Sequence, residues 1–161
     1  MKIDTGRLRE TLDACGLICL SGRWVAVEVG GTPIVLCGNE LPWFPPSADL
    51  SDCPAAPDGP LRVLLAHTPD QFGWARQNQI DLMLAGHVHG GQVRLPVIGA
   101  VLSPSWHGVK YACGLFHRPP TVLHVTRGLS GEYPVRYLCR PEIAQLVLRG
   151  GATRQHPSRN D

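Results

Sequence analysis

Two near-continuous apolar runs, LRVLLAH at 61–67 and IDLMLAGH at 80–87, constrain the fold of this chain more tightly than any other feature. Runs without polar alternation suit strands covered on both faces, as in parallel sheets. Between them, TPDQFGWARQN offers Thr68 as an N-cap, Pro69 at the first helical position and Gln71 three residues after the cap, the pattern of a capping box opened by proline. Gly73 weakens the short helical face. Strand, helix and strand with a crossover of about a dozen residues is the minimum for a right-handed βαβ unit. Both strands then run the same way, so His67 and the loop carrying His87 and His89 leave the sheet at one carboxyl edge, where open α/β sheets place their sites. Neighbouring strands lie roughly 4.8 Å apart, which lets three imidazoles converge on one point or on two close points.

The spelling of the second exit, LAGHVHGGQVRLP at 84–96, supports a metal loop. Two histidines at i and i+2 face opposite ways in a strand, but Gly86 before them and Gly90-Gly91 after them release the backbone from strand geometry. Each ring can then address a different metal ion. Gly90 and Gly91 also leave room for a substrate phosphate against the backbone, and Arg94 is a candidate fork for an anionic oxygen. Three histidines suffice for a mononuclear zinc with a bound water. A two-metal site needs carboxylates as well, and the acids nearby are poorly placed: Asp81 begins its strand at the far end, and Asp70 sits in the first helical turn, where it suits the dipole. His107, His117, His124 and His156 share no such convergence and read as structural.

Upstream, Leu8, Leu12 and Cys15 mark one face of a short helix that Asp4 or Thr5 can cap and Gly16 can close. LICL at 17–20 and RWVAVEV at 23–29 read as strands, and Gly30-Gly31 as a hairpin turn into TPIVLCG. Gly38-Asn39-Glu40 resembles the start of some metal loops, yet a turn that ends a strand accounts for it as well. Residues 41–60 hold six prolines and form an irregular connection, with Trp43 and Phe44 as packing anchors. The expected organisation is one domain over 1–149, containing this Pro-rich loop, and a disordered tail over 150–161.

A net charge of +2 without a basic block gives no indication of nucleic acid. No apolar run reaches membrane length and the first residues lack the form of a signal peptide, so the chain as written is expected to be cytoplasmic. The six cysteines contain no Cys-x-x-Cys pair and are expected to be reduced and mostly buried. Charged residues make up only 17% of the chain, which suits a surface covered by further chain or a partner.

AHTPD around His67, DLMLAGHVHGGQVRLPVIG at 81–99, YACGLF at 111–116, VTRGLS at 125–130 and PVRYLCRPEIAQLVL at 134–148 together resemble the calcineurin-like metallophosphoesterases, in their bacterial branch with Gly-His-Thr-His-Gly-Gly-Gln-x-Arg-Leu-Pro. The resemblance implies an α/β fold, the C-terminal part of a four-layer α/β/β/α sandwich, with the βαβ unit at 61–87 followed by a mostly β portion. It also implies hydrolysis of phosphoester bonds at two divalent metal ions, zinc, iron or manganese, with His67 and His87 on one ion and His89 on the other. The family's Asp-x-His, Gly-Asp-x-x-Asp and Gly-Asn-His-Asp motifs, which supply the remaining ligands and the catalytic histidine, are absent from this sequence. Half the centre is therefore expected to lie outside it, with Met1 an internal start and the missing N-terminal half, or self-association, covering exposed strands. A non-catalytic binding remnant and a mononuclear zinc hydrolase are the alternatives. Location of any longer form, including a membrane anchor, is left open by the residues at hand.

Overall fold

The computed structural model describes residues 4–43, 45–54, 59–131 and 135–149. Helix α1 spans Thr5–Ala14, followed by β1 Trp24–Val29, β2 Thr32–Asn39 and β3 Leu61–Ala66. A 3-10 turn, Pro69–Gln71, leads into α2, Phe72–Gln77, and β4 follows at Leu82–Ala85. The remaining strands are β5 Arg94–Leu95, β6 Gly99–Ala100, β7 Gly114–Arg118 and β8 Thr121–Val125. This is an α/β arrangement with a mostly β portion after the βαβ unit.

Six strands form one mixed sheet in the order β1-β2-β3-β4-β8-β7, and β5 and β6 form a separate small hairpin. The four central strands are parallel, as their unbroken apolar character requires, and the antiparallel partners β1 and β7 occupy the edges. Gly30 and Gly31 both take positive φ (58° and 77°), the backbone of a tight hairpin turn between β1 and β2.

Register aligns one row of side chains across the sheet: Trp24, Cys37, Leu64, Met83, Leu123 and Phe116. Phe72 and Ala75 of α2, with Ile80 and Tyr111, cover this row and complete the core. Truncating a fully buried leucine such as Leu64 to alanine costs about 2–5 kcal/mol in such a setting. The opposite face is also apolar but less covered: in the row through Gly38, Leu65, Leu84, His124 and Leu115, Leu65 is 41% and Leu115 67% exposed.

Several local expectations are corrected. LICL is not a strand, because the Leu17 amide closes α1 by donating to Leu12 O and positive-φ Gly16 and Gly22 turn the chain on either side. Helix α1 forms, capped by Asp4, but Leu8 and Cys15 are exposed, so its apolar stripe meets no core. Thr68 caps the 3-10 turn that leads into α2, through Asp70 N, whereas α2 itself starts from Gln71 without a side-chain cap and the Gln71 side chain faces Asn39 (3.5 Å), leaving the capping box half made. Gly38 lies inside β2 rather than in a turn: a Cβ there would stand 2.3 Å from Leu20 O. Of the cysteines, all free, only Cys37, Cys53 and Cys139 are buried; burial pushes the Cys37 thiol up to about 12. Phe44, His156 and the tail at 150–161 lie outside the described residues.

Candidate metal centre

His67 is the first residue after β3, and His87 follows β4 by two. The strands are parallel neighbours, and Gly86 N donates to His67 O (3.1 Å), so the two exits are stitched together where the ladder ends. Val88 N donates to Gly86 O (2.8 Å) across His87, which sits at φ 68°, a three-residue turn that is costly for a residue with a side chain. Val88 is buried and anchors the turn in the core. The outcome is that His67 Nε2 and His87 Nδ1 stand 3.1 Å apart.

That separation fits a shared ion. Two nitrogens each about 2.1 Å from one metal lie roughly 3.0–3.4 Å apart for angles between 90° and the tetrahedral value. The imidazole of His67 is also held below its ordinary basicity, by burial first and by the neighbouring His87 second, which favours the neutral form that binds metal. Trp43 lies edge-on to both rings, with centroids 5.2 Å from His67 and 5.1 Å from His87. Sequence reasoning treated Trp43 only as a packing anchor, and its position over the pair has no local signal. A cavity of about 300 Å³ opens on the same edge, lined in part by Cys19, Asn39, Glu40, Leu65 and His67. The larger hollow, about 580 Å³, lies around Arg62 and Trp74 at the other end of β3.

His89 begins a 3-10 turn with φ 48° and does not join the pair: among the described residues no group of three or more His, Cys, Asp or Glu is placed to hold a metal. Gly90 and Gly91 are both buried, and their packing accounts for them. A Cβ on Gly90 would stand 2.6 Å from Cys139 Sγ, and one on Gly91 2.7 Å from Ala100 Cβ. Arg94 Nη1 donates to Gly90 O (3.2 Å) and approaches Cys113 Sγ (3.4 Å), so this guanidinium braces the loop. Cys139 Sγ donates to His89 O (3.3 Å), and Arg136 in turn holds Arg127 O, Gly128 O and Ser130 O. This clamp from the irregular segment after β8 was invisible in the sequence, where VTRGLS and PVRYLC carry no periodicity. Asp70 stands in the first turn, as expected, and in addition its Oδ1 accepts from Ser105 Oγ (2.5 Å) and Trp106 N (3.1 Å), tying down the 101–107 connection.

The chain is 33% identical over 143 residues to "Phosphodiesterase YaeI" of Escherichia coli, an alignment covering 86% of this chain and 50% of that protein. It is 36% identical over 88 residues to "Uncharacterized metallophosphoesterase YkuE" of Bacillus subtilis, covering 54% of this chain and 30% of the relative. This chain is a homologue of the calcineurin-like metallophosphoesterases. A third relative, "UDP-2,3-diacylglucosamine pyrophosphatase LpxG" of Chlamydia muridarum, is 32% identical over 88 residues, covering 50% of this chain and 27% of its own length. The chain thus spans at most about half the length of these relatives. No family profile and no solved structure matches it.

Proposed function

We propose that this chain carries the histidine edge of a metal-dependent phosphoester hydrolase, with His67 and His87 sharing one divalent ion. The observation that carries the reading is the 3.1 Å approach of their ring nitrogens at the carboxyl edge of a parallel sheet. A divalent ion held there supplies Lewis acidity and an activated water for attack on phosphorus. The chain's own part is to converge two imidazoles, to hold them under Trp43, and to fix the loop through Val88, Arg94 and Cys139. His89 is assigned to a second ion, and Arg94, through its bond to Gly90 O, to bracing the loop that presents it. The carboxylate ligands of that ion belong to sequence comparable to the half of YaeI that this chain does not match. Such a half also supplies the second sheet of a four-layer sandwich, over the face where Leu65 and Leu115 stay exposed. The substrate class is a phosphodiester or pyrophosphate, the chemistry carried in the names of the YaeI and LpxG relatives.

A folded binding module without turnover is the second reading, favoured by the lack of a third ligand among the described residues. A chimera separates the two: this chain replaces the matched part of the Escherichia coli phosphodiesterase. Metal-dependent hydrolysis of bis(p-nitrophenyl) phosphate, abolished by His67→Ala, is the expected result. A folded, metal-loaded chimera without turnover sinks the hydrolase reading and leaves the module.

A further inference from the structure

The larger hollow, about 580 Å³ at the amino end of β3, holds a buried charge that the fold accommodates only in part. Arg62 is 7% exposed and lines this hollow beside Trp74, with Ser47 to Ser51 from the Pro-rich connection and Gln77 to Gln79 from the end of α2. Its Nη1 donates to Asn78 O (3.0 Å) and its Nη2 to Cys53 O (3.3 Å), bonds that close the end of α2 and hold the connection. Both acceptors are carbonyls, and among the described residues no carboxylate pairs with the guanidinium. The acid beside it, Asp81, spends Oδ2 on the Arg62 backbone amide (2.8 Å). Arg62 Nε is buried and has no partner. A buried cation without a counter-charge and a buried donor without an acceptor are both costly. Capping of α2 explains the two Nη bonds and leaves the charge and the Nε–H unexplained.

One cation with one free N–H matches a single negative charge that presents one oxygen, since both Nη atoms are already engaged. Asp49 disfavours a second charge: it lines the same hollow, and the Ser51 amide (2.9 Å) holds its carboxyl below the ordinary range. The volume is in the range that takes small organic ligands, and Trp74 and Leu50, both partly buried, offer apolar surface to the body of such a molecule.

We propose that this hollow binds a small organic carboxylate, with one oxygen on Arg62 Nε and its apolar body against Trp74 and Leu50. Nε is covered in this state, so the carboxylate reaches it as the wall at 47–51, which is neither helix nor strand, gives way. The site lies at the other end of β3 from His67 and stands independently of any metal there.

Benzoate, acetate and inorganic phosphate are titrated into the whole, metal-free chain and followed by proton–nitrogen NMR, with the Arg62 Nε–H signal assigned by its loss in Arg62→Lys. Benzoate should bind saturably and shift that signal, acetate and phosphate should bind more weakly, and added salt should weaken all three. Asp49→Asn removes the charge while keeping an acceptor for Ser51 N, and should tighten benzoate by about twofold or more. Gln77→Glu should weaken it by about as much. Both positions are exposed, so both variants keep the core. No saturable shift of the Arg62 signal, or equal affinity in the wild type and both variants, overturns the proposal and leaves a buried water on Nε as the occupant. Phosphate binding tighter than benzoate overturns the assignment to a carboxylate.

Discussion

Arg62 and Asp81 stand at the amino ends of β3 and β4, while His67 and His87 follow their carboxyl ends. At the amino ends the polar groups close on one another. Arg62 N donates to Asp81 Oδ2 (2.8 Å), Asp81 N to Arg62 O (3.0 Å), and the guanidinium reaches Asn78 O (3.0 Å) and Cys53 O (3.3 Å). At the carboxyl ends two imidazoles face each other beside a cavity, with the Trp43 ring edge-on to both. The same strands therefore carry a structural end, where these polar groups apart from the buried Arg62 Nε find partners, and a reactive end, where two imidazoles meet beside a cavity.

The largest test of that difference is His67→Ala. If the carboxyl end is a metal end, calorimetry should show divalent-metal affinity falling at least about 100-fold, with the unfolding midpoint in urea nearly unchanged. Unchanged metal affinity would break the distinction. The wild-type pair also has a pH signature. With the His67 pKa lowered in the fold, the unfolded chain takes up its proton first as pH drops below the ordinary 6.5, so metal-free stability falls with acidification in that window. His67→Ala should flatten that part of a stability-versus-pH curve.

The amino end should respond in the opposite way. Arg62→Ala removes two charge-assisted bonds from a buried side chain and should lower unfolding stability by about 2 kcal/mol, with metal affinity unaffected. Asp81→Ala should cost less, about 1 kcal/mol, since it strips one acceptor from a backbone amide at a partly exposed position. Chemical denaturation of each variant checks both, and a loss of metal affinity from either would show that the two ends are not separable.

What could be read from the residues follows the same division. Apolar runs, a Thr-Pro cap and paired glycines are local signals, and they placed β3, α2, β4 and the meeting of His67 with His87. LICL failed because the closure of α1 uses its first amide, a competition that the strand pattern does not contain. The Arg94 and Cys139 clamp, and Asp70 on the 101–107 connection, depend on segments 19–50 residues apart in sequence meeting in space. The position of His89 away from the pair follows from buried Val88 and a left-handed backbone at His89 itself, neither of which the spacing of two histidines reveals.

Trp43 gives the finest probe of the reactive end. Its ring is half exposed and meets the two imidazoles edge-on, a contact geometry that contributes about 0.5–1.5 kcal/mol when fully packed and less in water. Trp43→Ala should thus cost under about 1 kcal/mol in denaturant. Its spectroscopic consequence should be larger than its energetic one. Of the four tryptophans, Trp43 is the one whose ring contacts both His67 and His87, so metal titration should change the fluorescence of the wild-type chain through this residue. The change should vanish in Trp43→Ala while metal still binds by calorimetry. A persisting fluorescence response would place the bound ion near another tryptophan, and with it the reactive end away from His67 and His87.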